Sequence, residues 1–293
     1  MFEIRIPATT ANLGPGFDSL GAALTMYATL TFEEGDKKLE LTGCDEKYNN
    51  EENLIYTSYV KTFEIYGEKV KNVKIGIKSD IPPSRGLGSS AACVVGGVAG
   101  ALHMMGKEIR KDNLLDISTI IEGHPDNVSP AIYGGLTASL KYGDRVFTEI
   151  YEVNEEIVFY AFIPDFSLAT SDSRKALPEN VKFNDATFNV SRIPLLLRGF
   201  EKNDKELIKV SIEDVLHQPY RKGLIDEYEE VVQVCNDCNG HAVYLSGAGP
   251  TIMCISDEAG NRDSLENSTT EFRNNWKVRE LKIDREGIQI IRS

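Results

Sequence analysis

The sequence predicts an α+β fold, with helices packed on mainly antiparallel sheets. Three observations lead there. Short runs of two-residue alternation recur along the chain, as half-buried strands require. Stretches with helical spacing lie among them, without the strict strand–helix alternation that builds a parallel sheet. The 293 residues exceed the usual length of one domain, so one large or two modest domains are expected.

The elements follow in order. Phe2–Ile6 alternates and is read as a strand ending at Pro7. Leu24–Phe32 sets Leu24, Met26, Ala28, Leu30 and Phe32 against Thr25, Tyr27, Thr29 and Thr31, so one strand face is buried and the other half polar. Asn53–Tyr66 has helical spacing, Val73–Lys78 alternates, and Ser89–Met105 and Asp112–Glu122 read as helices. Leu136–Tyr142 and Val146–Ile150 form a hairpin around Gly143-Asp144. A second half starts near Glu155, and the domains are expected at residues 1–152 and 153–293. It holds a strand at Ile157–Ile163 and helices at Phe188–Phe200, Lys205–Ile212 and Ile225–Asn236. Strands at Ala242–Ser246 and Ile252–Ser256 follow, then a helix near Asp263–Asn274 and a strand at Val278–Ile283.

Composition narrows the function. Hydrophobic residues make up 41% and charged residues 26%, which suits a globular core and not a disordered chain. The net charge of −13 and the lack of a Lys/Arg run speak against nucleic acid. Any anionic ligand must therefore be held by a local arrangement. No membrane is expected: the least polar stretch, Leu87–Met105, contains Ser89, Ser90 and several glycines and reads as a buried helix. Met1–Pro7 has no basic segment ahead of an apolar one, so no secretion signal is read and a cytoplasmic location is expected. Five cysteines do not make a disulfide scaffold. Cys235 and Cys238 form a lone CxxC with no second pair at zinc spacing, and read as the polar end of a helix.

The strongest local signal is Pro82-Pro83-Ser84-Arg85-Gly86-Leu87-Gly88-Ser89-Ser90-Ala91-Ala92. Two prolines stiffen the entry and end the preceding strand. Gly86 and Gly88 let a ligand approach the backbone. The helix that follows offers free N–H groups and the positive end of its dipole, which together favour a phosphate. A plain glycine turn with a serine cap would use similar residues. The small residues Ala91, Ala92, Gly96, Gly97, Ala99 and Gly100 point instead to a closely buried, specialised helix. GxxxxGK[ST] is absent, and so are the HRD and DFG signatures of protein kinases. Gly86–Ala91 fits the loose dinucleotide pattern GxGxxA, but a proline-containing loop stands where a tight strand–helix turn is required.

Pro82-xxx-Gly86-Leu87-Gly88-Ser89-Ser90-Ala91 resembles the ATP-binding signature of the GHMP kinases. Two more segments extend the resemblance over almost the whole chain. Pro7-Ala8-Thr9-Thr10-Ala11-Asn12-Leu13-Gly14-Pro15-Gly16-Phe17-Asp18-Ser19-Leu20-Gly21 resembles the N-terminal motif of the homoserine kinases in that family, and Gly240–Thr251 resembles the family's C-terminal glycine-rich motif. The resemblance implies a two-domain GHMP kinase fold. Its N-terminal domain would be ribosomal-protein-S5-domain-2-like and its C-terminal domain a ferredoxin-like α/β sandwich. It also implies that ATP, held by Pro82–Ala92, phosphorylates the side-chain hydroxyl of L-homoserine, and that the protein forms a homodimer.

Site residues carry over position by position. By chemistry alone, Asn12 and Asp18 lie in a Gly/Pro-rich loop, where such residues also simply make turns. In Glu122-Gly123-His124-Pro125-Asp126-Asn127, the resemblance implies that Glu122 binds Mg²⁺ together with the Ser90 hydroxyl. His124, Asp126 and Asn127 would face the amino acid and its reacting hydroxyl. Thr170 and Arg174 match the TxxxR segment of the homoserine kinases, and Arg221 matches a second arginine position. A guanidinium fork suits a carboxylate, so Arg174 and Arg221 would hold the substrate carboxylate while Asp18 takes the ammonium. Mevalonate has no amino group for such a pairing. Asp126 is a candidate base, and Asn127 a residue that orients the hydroxyl; the residues alone leave both open.

Overall fold

The computed structural model describes residues 1–292. Two antiparallel-rich sheets organise it, each with helices on its faces. In chain order the elements are β1 (Phe2–Ala11), β2 (Leu20–Glu34), β3 (Leu39–Thr42), α1 (Leu54–Ile65), β4 (Val73–Ser79), α2 (Ser89–Met104), α3 (Lys111–Glu122), α4 (Val128–Tyr133), β5 (Leu136–Tyr142) and β6 (Arg145–Tyr151). The second half adds β7 (Val158–Pro164), α5 (Thr170–Lys175), α6 (Phe183–Lys202), α7 (Lys205–Ser211), α8 (Gln218–Arg221), α9 (Tyr228–Asp237), β8 (Ala242–Leu245), β9 (Ile252–Ser256), α10 (Arg262–Asn267), β10 (Trp276–Leu281) and β11 (Gln289–Arg292).

The first sheet runs β11-β1-β2-β4-β3, with β5 joining β2 and carrying β6. The alternation read in Leu24–Phe32 matches burial along β2: Leu24, Met26, Ala28, Leu30 and Phe32 are buried while Thr25 is exposed and Tyr27, Thr29 and Thr31 are half-buried. Helix α2 packs on this sheet and against α1 at a distance only small residues allow. A Cβ at Gly97 would lie 2.3 Å from the Ile55 carbonyl, and one at Gly100 would lie 2.4 Å from the Phe32 ring. The second sheet runs β10-β7-β9-β8, all antiparallel. Central β7 is buried on both faces: Phe159, Ala161 and Ile163 join the main core, while Val158, Tyr160 and Phe162 pack with Val231 of α9 and Leu265 of α10.

Several expectations need correction. The first strand does not stop at Pro7 but continues to Ala11. Pro7 sits where the β1–β2 register shifts, beyond the last residue paired to β11. A proline at a bulge with an unpaired side forfeits no ladder bond. The expected late helix is cut to Arg262–Asn267 and β10 begins earlier, at Trp276. β3, α4, α5, α8 and β11 are short elements that the alternation and spacing did not mark. β11 crosses back to β1, so the chain's end completes the first sheet. No described helix is long and apolar enough to cross a membrane.

Candidate active site

The glycine loop lies between the two sheets. Gly86 and Gly88 take φ of +76° and +70°, and space as well as conformation excludes a side chain there. A Cβ on Gly86 would meet the Ser246 carbonyl at 2.4 Å, and one on Gly88 would meet Thr9 Oγ1 at 1.9 Å. The loop is tied down from both sides. Thr9 N–H donates to the Leu87 carbonyl (3.2 Å), and Ser246 Oγ donates to the Gly86 carbonyl (2.5 Å). Arg85 donates to the carbonyls of Pro164 (2.9 Å) and Asp165 (2.7 Å), so its charge anchors the loop. Gly88 caps α2, leaving the helix's first N–H groups without intrahelical partners. Those groups line a cleft of about 680 Å³.

Nearly every expected site residue borders this one cleft: Asn12, Asp18, Glu122, His124, Asp126, Asn127, Thr170, Arg174 and Arg221, with Pro83–Gly86 and Gly88–Ala92 of the loop. Pro82 and Leu87 do not. Leu87 is fully buried in the core and contributes only its backbone.

Glu122 ends α3 and faces the start of α2, where Ser90 Oγ donates to its Oε2 at 2.8 Å. Burial pushes the Glu122 carboxyl above the usual range, opposed by the Ser90 hydrogen bond. Gly123 then turns the chain with φ +99°, which brings the next side chains into the cleft. His124 Nδ1 is 2.7 Å from Asp126 Oδ1, and this contact is the main cause of a raised imidazole pKa. The Asn127 backbone N–H donates to the same oxygen at 2.9 Å. Thr9 Oγ1 donates to Asn127 Oδ1 at 2.7 Å, so the Asn127 amide is fixed from β1.

The opposite wall is built from the β1–β2 loop and the second half. Asn12 (φ +71°) accepts the Asp18 N–H on Oδ1 and donates from Nδ2 to the Gly247 carbonyl. Asp18 is paired with Arg174 by two hydrogen bonds, 2.8 and 3.1 Å. Arg174 is therefore already matched to a carboxylate within the protein. Arg221 is not. Only 2% exposed, it donates to the carbonyls of Gly247 (2.9 Å) and Ser173 (3.4 Å). It lies 5.1 Å above the Phe17 ring, and no carboxylate pairs with it among the described residues. Burial, with Arg174 nearby, lowers its pKa to about 10. A buried guanidinium without a counter-ion is costly, so this one is poised for an anionic ligand.

Two arrangements are candidates for a cation. Donor atoms of Asp18, His124 and Asp126 lie within 4.8 Å of one another. That cluster is already compensated, since Arg174 takes Asp18 and His124 takes Asp126. Ser90 and Glu122 offer two adjacent oxygens beside the helix start, and the carboxylate there has no cationic partner among the described residues. Hard oxygen ligands at a phosphate cradle fit Mg²⁺ better than a set containing a bound imidazole.

Sequence reasoning missed three contributions. Thr9 carries no local signal in its strand, although it steers Asn127. His217, against Arg221, carries no local signal. The far end of the cleft is walled by Cys44, Tyr48, Asn53, Leu54 and Ile55. That wall exists only because α1 packs on α2 beside β3.

Comparison with known proteins places the chain in a family. The family described as GHMP kinases N terminal domain matches residues 53–135, and GHMP kinases C terminal matches residues 196–272. A homoserine kinase of Clostridium botulinum (strain Kyoto / Type A2) is 45% identical, over 98% of this chain and 97% of its own. Another from Clostridium beijerinckii is 41% identical over 99% of each chain. The crystal structure of homoserine kinase from Cytophaga hutchinsonii has a TM-score of 0.87 at 25% identity, covering 99% of this chain and 97% of that one. The expected α+β GHMP kinase fold is thus borne out. The chain belongs to the homoserine kinase family of the GHMP kinases.

Proposed function

We propose that this chain transfers the γ-phosphoryl group of MgATP to the side-chain hydroxyl of L-homoserine, giving ADP and O-phospho-L-homoserine for threonine synthesis. The observation that carries the substrate is Arg221, a buried guanidinium without a carboxylate, which lines the same cleft as Asp18. A zwitterion fits between them: its carboxylate on Arg221 and the remaining donors of Arg174, its ammonium on Asp18. Neither mevalonate nor a sugar supplies both charges.

The phosphates lie at the start of α2 on the Gly86–Ala92 backbone. The nucleoside occupies the end walled by Tyr48 and Leu54. Ser90 and Glu122 hold Mg²⁺, which supplies charge neutralisation to the transferring group. Phosphoryl transfer has a loose transition state, so positioning and electrostatics do most of the work. Thr170, at the start of α5, faces the same space. Asp126 accepts the hydroxyl proton on its second oxygen. Its first is saturated by His124 and the Asn127 N–H. Asn127, whose amide cannot take a proton and is held by Thr9, keeps the hydroxyl aligned. A cytoplasmic homodimer belongs to the same reading.

A coupled ADP-release assay across L-homoserine, mevalonate, galactose and shikimate tests it. Homoserine should be the preferred acceptor, with turnover dependent on Mg²⁺. Absence of homoserine-dependent ADP release sinks the reading, and preference for another alcohol moves the chain elsewhere among the GHMP kinases.

A further inference from the structure

His217 is fully buried four residues before Arg221, and nothing in the phosphoryl-transfer scheme above uses it. Its Nε2 lies 2.9 Å from the Gly14 carbonyl, an acceptor only, so Nε2 carries a hydrogen. Nδ1 faces Arg221 Nη1 at 3.4 Å. A guanidinium nitrogen has only hydrogens to give, so Nδ1 must offer its lone pair and the ring is neutral. Burial, the largest influence on this group, favours the same state. Asp214 Oδ2 is 3.5 Å from Nε2, but that oxygen is occupied by the backbone N–H groups of His217 and Gln218. The Phe17 ring lies against both His217 and Arg221, with centroid distances of 5.2 and 5.1 Å.

We propose that His217 is a positioning residue for substrate charge: it fixes Arg221 relative to the loop that carries Asn12 and Asp18. The inference rests on the reading that Arg221 receives the homoserine carboxylate. The contacts form one chain across the site. Gly14 and Phe17 belong to the loop that presents Asp18, and His217 links that loop to Arg221. Asn12 and Arg221 also share one acceptor, the Gly247 carbonyl. With Nη1 engaged by Gly247 and His217, Nη2 has no protein acceptor among the described residues, and Arg221 borders the cleft. Fixing the guanidinium this way sets the distance between the two charges of the ligand, which is what separates an α-amino acid from an amino alcohol.

The test compares the parent chain with His217→Leu and His217→Asn, using homoserine and aminopropanol (homoserine without its carboxylate). Loss of one such hydrogen bond should raise the KM for homoserine roughly 3- to 10-fold in His217→Leu. The KM for ATP should stay unchanged. His217→Asn, whose amide oxygen can replace Nδ1 as acceptor, should recover most of the loss. With aminopropanol, the parent and His217→Leu should have equal kcat/KM. In an Arg221→Ala background, His217→Leu should add nothing to the homoserine KM. Equal losses on both acceptors, a parallel rise in the KM for ATP, or additive losses in the Arg221→Ala background overturn the proposal. A parent chain that does not phosphorylate homoserine overturns the functional reading instead, and is seen before any variant is compared.

Discussion

Asp18 and Arg174 face each other as a fork on a fork, two parallel hydrogen bonds joining a loop of the first half to helix α5 of the second. Both are substantially exposed, with side-chain accessibilities of 36% and 40%. An exposed pair of this kind contributes at most about 1 kcal/mol to stability. Its use must lie in the ligand, whose two charges redistribute over Asp18, Arg174 and Arg221. Arg174→Ala should therefore leave the melting temperature nearly unchanged. The KM for homoserine should rise roughly 10- to 150-fold, the worth of a charge-assisted hydrogen bond. Arg174→Lys should not restore it, because an ammonium cannot make the paired contact. Steady-state kinetics in both substrates check this; an equal rise in the KM for ATP removes Arg174 from the acceptor site.

Glu122 carries a burial cost that a cation relieves. Its carboxyl is raised, so over that interval the native state binds more protons than the unfolded chain, and stability falls as pH rises. Glu122→Gln removes the buried charge while keeping the shape. Without metal at neutral pH, the variant should melt at the same temperature as the parent or higher. Adding Mg²⁺ with nucleotide should stabilise the parent more than the variant, and the variant should need more Mg²⁺ for turnover. Identical Mg²⁺ titrations would exclude Glu122 from the metal site.

What the sequence shows and what it hides differ by the range of the interaction. The alternation of β2 and the small residues of α2 are local, and both were legible. The loop Pro82–Ala92 was legible for the same reason, since its glycines and its helix start are contiguous. Asp18 and Arg174 were legible only through resemblance to relatives, because nothing local distinguishes either from a surface charge. Thr9 and His217 stayed hidden. One lies near the end of a strand and the other just before a short turn of helix, and each reaches a residue far along the chain, Asn127 for Thr9 and Gly14 for His217. β11 was hidden because four residues do not make a pattern; its pairing depends on β1 being already in place.

Gly88 links the loop to the catalytic end through a space filled by Thr9. Its φ of +70° alone makes alanine unfavourable by about 1–2 kcal/mol. Gly106, with φ +69° and nothing within 4 Å of a would-be Cβ, gives a control with the same conformational cost. At Gly88 the added methyl would strike Thr9 Oγ1, which holds Asn127. Gly88→Ala should thus lose stability by about 2–4 kcal/mol and depress kcat, whereas Gly106→Ala should show only the conformational loss with normal kcat. Matching kcat values for the two variants would break the proposed link from Gly88 through Thr9 to Asn127.

The buried neutral state of His217 also predicts how acid affects the fold. Burial holds its pKa below the ordinary value, while Asp214 and Asp18 pull upward and Arg221 pulls downward. As pH falls through about 6.5, the unfolded chain takes up a proton on this residue and the native chain does not. Stability is therefore lost as pH falls, by up to about 1.4 kcal/mol per pH unit for one such group. His124 works in the opposite sense, since Asp126 raises it and its charged form favours the native state as pH falls. His217→Asn removes only the first effect. Denaturant unfolding at pH near 7.5 and near 5.5 should show the parent losing more stability between the two than the variant does, even though the variant starts lower. A smaller loss in the parent than in the variant would mean that His217 is already protonated in the native chain. In that case Nδ1 could not accept from Arg221, and the contact between them would be repulsive.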